Sequence, residues 1–294
     1  MTPRFFPPIL SLFLLCLVPF QEKAASRPAL RKLGRTVCFA RPFTLPSSPV
    51  RLVEQMDIDR TIKGILAARV DSYVFPLEAD RDRLPELLRF LPKAKAQGIS
   101  VWVRLLPPTL GANMKPYLGD FDRWAKALAK IGRQHENLVA VYIPDLDYGR
   151  NRRFLNSNTL AAMRKSLHKA GVRLVAGVFD PTPQFWNYMR NELDGIVCTW
   201  VQAKELRNLG TYLQGSRAMT PGRIPVLAGY PCKGLPPGLH VMTPEVLSYA
   251  IRNALHSVDG VFLRDFVLRG QTKDRTDQKR FEVASKLFLE ARSR

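Results

Sequence analysis

Three acidic residues of this chain directly follow apolar, strand-like runs, where carboxylates could carry out acid–base chemistry. Asp145 ends the run "VAVYIPD", Asp180 ends "VRLVAGVFD" and Glu78 ends "SYVFPLE". Enzymes that cleave glycosidic bonds use two carboxyl groups, one protonated as general acid and one ionised as base or nucleophile. We therefore take Asp145 as the first candidate catalytic residue, with Asp180 or Glu78 as its partner.

Polar and aromatic residues near the ends of the same kind of run would complete a sugar-binding surface. Aromatic rings can stack on pyranose faces, and Arg or Lys can bind hydroxyl and acidic groups. We expect Trp200, Tyr148 and Tyr230 to stack on the sugar, and Arg104 and Arg150 to orient it. The candidate binding residues are Arg41, Arg104, Asp147, Tyr148, Arg150, Trp200, Gln202, Tyr230, Lys233 and Asp265.

Each of these interpretations has a structural alternative. Asp145 could cap a helix or hydrogen-bond at the rim, Asp147 could cap a loop or helix, and Asp180 could form an Asp-Pro turn. Arg264 and Asp265 could form a structural ion pair. The run "GRNRRF" (149–154) could be a solvated loop instead of an anion-binding one.

These residues are positioned by eight apolar runs, each followed by a helix-like segment. Parallel strands buried on both faces have continuous apolar sequences, and eight β/α units close a (β/α)8 TIM barrel, whose chemistry lies at the C-terminal strand ends. The chain is thus predicted to be an α/β protein with one such barrel. The predicted strands are Thr36–Ala40, Ser72–Leu77, Ser100–Leu106, Leu138–Pro144, Val172–Phe179, Gly195–Trp200, Ile224–Gly229 and Gly260–Phe266.

Alternation along a strand would bring the three carboxylates together if their same-side neighbours face the barrel interior. Asp145 and Asp180 would then lie on adjacent strands about 4.8 Å apart, near the carboxyl spacing of retaining glycosidases. The same-side neighbours are Val139, Val141 and Ile143 for Asp145, Ala176 and Val178 for Asp180, and Val74 and Pro76 for Glu78.

The first residues are typical of a secretory signal peptide. Arg4 precedes an apolar stretch, which is followed by the small-residue segment Ala24-Ala25-Ser26. We therefore expect a signal peptide at 1–26, a barrel domain at 27–294, a secreted or periplasmic location, and no transmembrane span in the mature chain. An uncleaved membrane anchor, a lipoprotein modified at Cys16 and a buried helix are the alternatives.

The chain is strongly basic, with a net charge of +20. Residues 27–53 contain six basic residues and no acid, and residues 148–179 contain seven Lys or Arg and no acid. This balance favours acidic partners: an anionic polysaccharide, a membrane surface or nucleic acid. We expect no nucleic-acid partner, because no nucleic-acid-binding motif is present. A dispersed, solvated basic surface is the alternative.

Cofactor and metal chemistry are not indicated. The sequence contains no CxxC pair, no phosphate-binding glycine loop and no Gly-x-Ser-x-Gly motif. Cys38 and Cys198 are expected to be buried as small hydrophobic residues. We therefore expect neither a cofactor nor a metal.

Two passages resemble a loose group of secreted bacterial glycoside-hydrolase-like barrels, most of them uncharacterised. In that group strand four commonly reads Trp-Tyr-aliphatic-Pro-x-Glu-aliphatic-Asp, and Val141–Asp147 here reads "VYIPDLD". The passage "VMTPEVLSYAIRNALHSVDGVFLRDF" resembles their final helix–strand unit. The resemblance implies a barrel that acts on or binds carbohydrate. The pattern with Asn-Glu on strand four and Glu on strand seven is absent.

Three functions remain open from the sequence. The first is a secreted glycoside hydrolase acting on a neutral or acidic polysaccharide through Asp145. The second is a non-catalytic barrel that binds anionic glycans or the cell surface. The third is a lyase that uses Tyr148 or Tyr230 as a base on uronic acids.

Overall fold

A computed structural model describes residues 29–45, 55–77, 81–111, 114–179, 181–189, 191–199, 208–221, 224–232 and 242–292. Within these residues eight parallel strands pair in chain order, and the last pairs with the first, so the sheet closes into a barrel. The strands are β1 (Thr36–Ala40), β2 (Ser72–Pro76), β3 (Ser100–Arg104), β4 (Leu138–Ile143), β5 (Arg173–Val178), β6 (Gly195–Thr199), β7 (Val226–Pro231) and β8 (Gly260–Phe266).

Helices follow the strands and cover the outside of the barrel. They are α1 (Ile58–Ala68), α2 (Leu84–Ala96), α3 (Phe121–Gln134), α4 (Asn151–Phe154), α5 (Ser157–His168), α6 (Pro183–Met189), α7 (Leu209–Met219), α8 (Pro244–Ser257) and α9 (Arg275–Arg292), with a 3₁₀ turn at Pro108–Leu110. In the described part of the chain, no helix is both long and apolar enough to cross a membrane.

The predicted TIM barrel is confirmed. The bounds of β1 and β8 agree with the sequence pattern, whereas β7 begins and ends two residues later than predicted. Thr243 caps α8 by accepting the Val246 N–H, and Asn156 caps α5 by accepting the Thr159 N–H. The predicted signal peptide lies outside the described residues.

Two separate groups of buried side chains show which strand residues face inward. One group contains residues of both strands and helices, including Cys38 and Cys198, and forms the layer between the sheet and the helices. The other contains strand residues from all eight strands, and therefore fills the barrel interior. Its aromatic members are Phe39, Trp102, Tyr142 and Phe262.

The predicted inward facing is confirmed for Val74 and Val139 but is wrong for the rest of β4 and for β5. Val141 and Ile143 belong to the helix-side layer, whereas Ala140 and Tyr142 face the interior. The cause in β4 is a register shift against β3, which leaves Val139 as an extra residue and breaks the alternation. In β5 the residues Ala176 and Val178 likewise lie in the helix-side layer, whereas Val175 faces inward.

The segment before β1 closes the N-terminal end of the barrel. Leu33 packs against the interior group. The Arg31 guanidinium donates to the carbonyls of Gly132 at 2.7 Å in the last turn of α3, of His135 at 3.1 Å just after it and of Leu138 at 2.6 Å at the start of β4. Arg31 thus satisfies carbonyls that the end of a helix leaves without partners.

We predict that Arg31→Ala destabilises the fold by about 2–3 kcal/mol, because three carbonyls lose a charged donor. The matched control is Lys32→Ala, an exposed neighbour, which should change stability by less than about 0.5 kcal/mol. Urea denaturation followed by circular dichroism measures both. Equal effects of the two variants would contradict the capping role of Arg31.

Candidate active site at the barrel mouth

Asp145 reaches the barrel mouth through a turn and not through strand alternation. Strand β4 ends at Ile143, and Asp145 then adopts a left-handed backbone with φ of 51°. The buried Asn151 holds this turn, because its Nδ2 donates to the Asp145 carbonyl at 2.7 Å. Asn151 Oδ1 also accepts from the hydroxyl of Thr109 at 2.8 Å, so it ties the loop after β3 to the loop after β4.

Gly177 of β5 provides the space for this turn. A Cβ atom at Gly177 would lie 2.6 Å from the Tyr142 hydroxyl, 3.1 Å from Pro144 Cα and 3.2 Å from Asp145 N. The Gly177 carbonyl also accepts the Leu146 N–H at 2.8 Å. The position therefore requires glycine for the turn to lie against the neighbouring strand.

Arg264 links two carboxylates that come from opposite sides of the barrel. Its Nη1 lies 3.7 Å from Asp145 Oδ1, and its Nε lies 3.4 Å from Asp265 Oδ2. Strands β4 and β8 are four strands apart in either direction around the closed sheet. Asp265, like Asp145, has a left-handed backbone, with φ of 54°. Two non-glycine residues in this region mark a constrained site.

Aromatic rings and a second arginine form the floor beneath these carboxylates. The ring centroids of Tyr142 and Phe262 are 4.9 Å apart, and Trp102 lies 6.3 Å from Tyr142 and 6.1 Å from Phe262. The Arg104 guanidinium carbon lies 4.5 Å from the centroid of the Phe39 ring. The mouth therefore has a filled, apolar base and a charged layer above it.

The environment of Asp145 raises its pKa above the usual value. Burial is the largest cause, and the Asp265 charge adds to it, whereas the charges of Arg264 and Arg104 act in the opposite direction. The side chain of Asp145 is 14% exposed. Burial, with the Asp145 charge adding to it, also raises the pKa of the Tyr142 hydroxyl. A carboxyl with a raised pKa suits the role of a proton donor.

Asp265 is a further carboxylate of the same opening. Both acids contact one guanidinium, since Arg264 lies 3.7 Å from Asp145 Oδ1 and 3.4 Å from Asp265 Oδ2. The arrangement can donate a proton from Asp145 and places a second carboxyl group on the other side of Arg264.

Several predicted residues lie at the opening or its rim. Arg104 and Asp265 lie close to Asp145, as described above. Tyr148 is 62% exposed on the rim beside Phe179, and Arg150 is exposed next to it. Arg41 is exposed at the end of β1 and lines a groove together with Asp265.

Asp147 and Tyr230 have structural contacts. Asp147 Oδ2 accepts the Phe179 N–H at 2.9 Å and so joins the loop after β4 to the end of β5, which agrees with the loop-stabilising alternative. Tyr230 is fully buried on the helix side of β7, and its hydroxyl donates to the Ala250 carbonyl of α8 at 3.1 Å. The prediction that Tyr230 stacks on a sugar, or acts as a lyase base, is therefore withdrawn.

Five predicted site residues lie outside the described part of the chain. They are Glu78, Asp180, Trp200, Gln202 and Lys233. The roles expected of them stay predictions.

The sequence pattern does not indicate three residues that the structure brings to the mouth. Strand alternation predicts that Tyr142 faces the helices, and the sequence suggests an ion pair of Arg264 with Asp265 alone. Asn151 lies inside an arginine-rich run that suggested only anion binding. Asn within a turn after a strand is a signal for side-chain to backbone hydrogen bonds, and could have indicated its role. Among the described residues, no three His, Cys, Asp or Glu side chains cluster as metal ligands would.

The fold is similar to solved structures of carbohydrate-active enzymes. Saccharomyces cerevisiae Gas2 with laminaritetraose and laminaripentaose gives a TM-score of 0.54 at 14% identity, over 90% of this chain and 68% of that one. An endo-β-N-acetylglucosaminidase mutant from Cordyceps militaris gives 0.55 at 14% identity, over 88% and 91%. A calcium-binding mutant of Bacteroides uniformis β-glucuronidase 2 gives 0.56 at 11% identity, over 82% of this chain and 32% of that one.

No family model matches the sequence, and no curated protein does so either. At 11–14% identity, the structural similarity establishes the fold alone. The chain is a (β/α)8 TIM barrel, the fold that these solved structures share with it.

We predict that Gly177→Ala destabilises the protein by about 1–3 kcal/mol, because the new methyl group overlaps the Tyr142 hydroxyl and the Pro144–Asp145 turn. Gly215→Ala in α7 is the control, since a Cβ there meets nothing within 4 Å. That substitution should stabilise the helix by about 0.5–1 kcal/mol. Urea denaturation compares the two variants, and a neutral Gly177→Ala would contradict the close approach.

We also predict a pH dependence for Asp145→Asn. A raised pKa means that the folded state holds the Asp145 proton more tightly than the unfolded chain does. The resulting stabilisation is fully present below the unfolded pKa of about 3.9 and is lost as the pH rises through the folded pKa. The Asp145→Asn variant has no carboxyl group to titrate at this position, so it does not lose this stabilisation. Its free energy of unfolding relative to that of wild type should therefore increase as the pH rises across that window. A difference that stays flat or decreases would contradict the prediction.

Proposed function

We propose that this protein is a secreted glycoside-hydrolase-like barrel that acts on a polysaccharide by carboxylate acid–base catalysis. The observation that carries the proposal is Asp145, a largely buried carboxyl with a raised pKa that lies at the C-terminal mouth of the barrel over an aromatic floor. Active sites of TIM-barrel enzymes lie at this end. The solved structures with this fold, among them Gas2 with laminaritetraose, add general support.

In the proposed reaction, Asp145 donates its proton to the glycosidic oxygen as the bond to the anomeric carbon breaks. An ionised carboxylate activates the attacking water or attacks the anomeric carbon itself. Asp180 and Glu78 remain the proposed partners, and Asp265 lies close enough to be a third candidate. Arg104 and Arg264 would bind sugar hydroxyls, while Tyr148, Arg150 and Trp200 would form the outer binding surface.

The second candidate is a barrel that binds anionic glycans without cleaving them. It is favoured by the charge of the mouth, where Arg104 and Arg264 both lie close enough to Asp145 to affect its pKa. The net charge of +20 supports the same view. Such a protein would bind its glycan with a strong dependence on salt and would release no reducing ends.

We predict that Asp145→Asn abolishes the release of reducing ends from any polysaccharide that the wild-type protein cleaves, because an amide cannot act as a general acid. Glu136→Gln is the matched control, an exposed acid just after α3 at the opposite end of the barrel. It should retain full turnover. Substrates are found by reducing-sugar assays on neutral chains, including laminari-oligosaccharides, and on acidic ones.

Circular dichroism must first show that both variants fold. Turnover by Asp145→Asn at the wild-type rate would remove Asp145 from the mechanism. Glycan binding by the wild-type protein with no release of reducing ends from any bound chain would favour the binding barrel.

A further inference from the structure

A groove of about 590 Å³ opens on the same rim of the barrel, beside the mouth. It lies between the segment that follows β1 and the segment that follows β8. Its walls include Arg41–Thr44 on one side and Asp265 and Gly270–Thr272 on the other, and Arg60 reaches it from the first turn of α1.

Hydrogen bonds hold the groove walls in place. The Phe43 carbonyl accepts the Asp57 N–H at 2.7 Å, and the Leu45 N–H donates to the Gln55 carbonyl at 2.8 Å. On the opposite wall, the Gln271 side chain accepts the Leu268 N–H at 2.7 Å and donates to the Arg41 carbonyl. The groove is therefore formed before any ligand arrives, which reduces the entropic cost of binding.

The described lining of the groove contains two arginines and one aspartate, so the groove carries a net positive charge. The Arg60 guanidinium carbon lies 4.3 Å from the Phe43 ring centroid, and its Nη2 donates to the Gly270 carbonyl at 3.4 Å. Arg41 is exposed beside it. Asp265 is the one acid among the described lining residues, and it faces Arg264. Two guanidinium groups are thus available to an anionic ligand.

Asp265 connects the groove to the mouth. It lines the groove and, through Arg264, lies opposite Asp145. A glycan whose scissile bond lies at Asp145 can therefore extend into the groove without leaving the rim.

We propose that this groove is a subsite for an acidic sugar unit, such as a uronic acid, of the same glycan chain that binds at Asp145. The inference rests on the proposed function and specifies its substrate class. A planar guanidinium binds a carboxylate through two parallel hydrogen bonds, and stacking on Phe43 fixes the plane of Arg60. Arg41 would bind the same carboxylate or its neighbour.

The test compares acidic glycans with uncharged forms of the same chains. The probes are oligosaccharides of polygalacturonate, alginate and hyaluronan, each paired with its carboxyl-reduced form. Isothermal titration calorimetry measures the binding of each pair to wild type, Arg41→Gln, Arg60→Gln and the control Arg133→Gln. Arg133 is exposed in the last turn of α3, at the opposite end of the barrel.

We expect the wild-type protein to bind at least one acidic chain roughly tenfold more tightly than its reduced form. Arg41→Gln and Arg60→Gln should each remove most of that difference, whereas binding of the reduced chain and all binding by Arg133→Gln should stay unchanged. Arg41→Lys, which keeps the charge but loses the planar pair of donors, should show an intermediate loss.

Two results would overturn the inference in distinguishable ways. If the protein binds acidic and reduced chains equally, or if both groove variants retain the preference, the subsite is refuted while the proposed function stands. If the wild-type protein binds none of these chains and no neutral glycan, the proposed function fails together with the subsite.

Discussion

The requirement that a closed eight-stranded barrel be filled from within determines the site of this protein. Trp102, Tyr142 and Phe262 meet in the interior with ring centroids between 4.9 and 6.3 Å apart. Two residues further along β3 and β8 the same faces carry Arg104 and Arg264, since side chains of a strand alternate. The packed rings leave these arginines no room below, so their charged ends lie at the mouth. The apolar filling of the barrel thus forms the base of the charged layer above it.

That charged layer is held by partly buried ion pairs whose strength depends on their surroundings. Arg264 lies between Asp145 and Asp265, at 3.7 and 3.4 Å, and its Nε has no well-formed hydrogen bond. Ion pairs at such distances gain less than direct hydrogen-bonded pairs, while burial still penalises each charge. Because the effect of burial is larger than that of the two arginine charges, the pKa of Asp145 is raised although both arginines lie nearby. The left-handed backbones of both aspartates are part of what brings the carboxylates to this position.

Eight continuous apolar runs, each followed by a helix-like segment, were enough to predict the strands and the closed barrel, because burial on both faces leaves a strong pattern. The facing of Asp145 was not predictable, because one extra residue at Val139 reverses the alternation and a left-handed turn then redirects the side chain. The partnership between Asp145 and Arg264 joins residues more than a hundred positions apart, so no local spacing reports it. Tyr230 shows the opposite error, since an aromatic residue near a strand end was taken for a sugar platform although it packs under α8.

The position of Arg264 also bears on how Asp145 could serve as an acid. Arg264 and Arg104 lower the pKa of Asp145, and burial raises it, so the outcome depends on how closely Arg264 approaches. A sugar bound at the mouth would offer hydroxyl or carboxylate oxygens to Arg264, whose Nε lies 3.4 Å from Asp265 Oδ2 without a well-formed hydrogen bond. Drawing Arg264 towards the sugar would weaken its pairing with Asp145, and excluding water would increase the effect of burial. In the proposed hydrolase, substrate binding itself would therefore favour the protonated Asp145 that the first step requires. A barrel that only binds glycans would gain nothing from this coupling, because its affinity depends on the arginines alone.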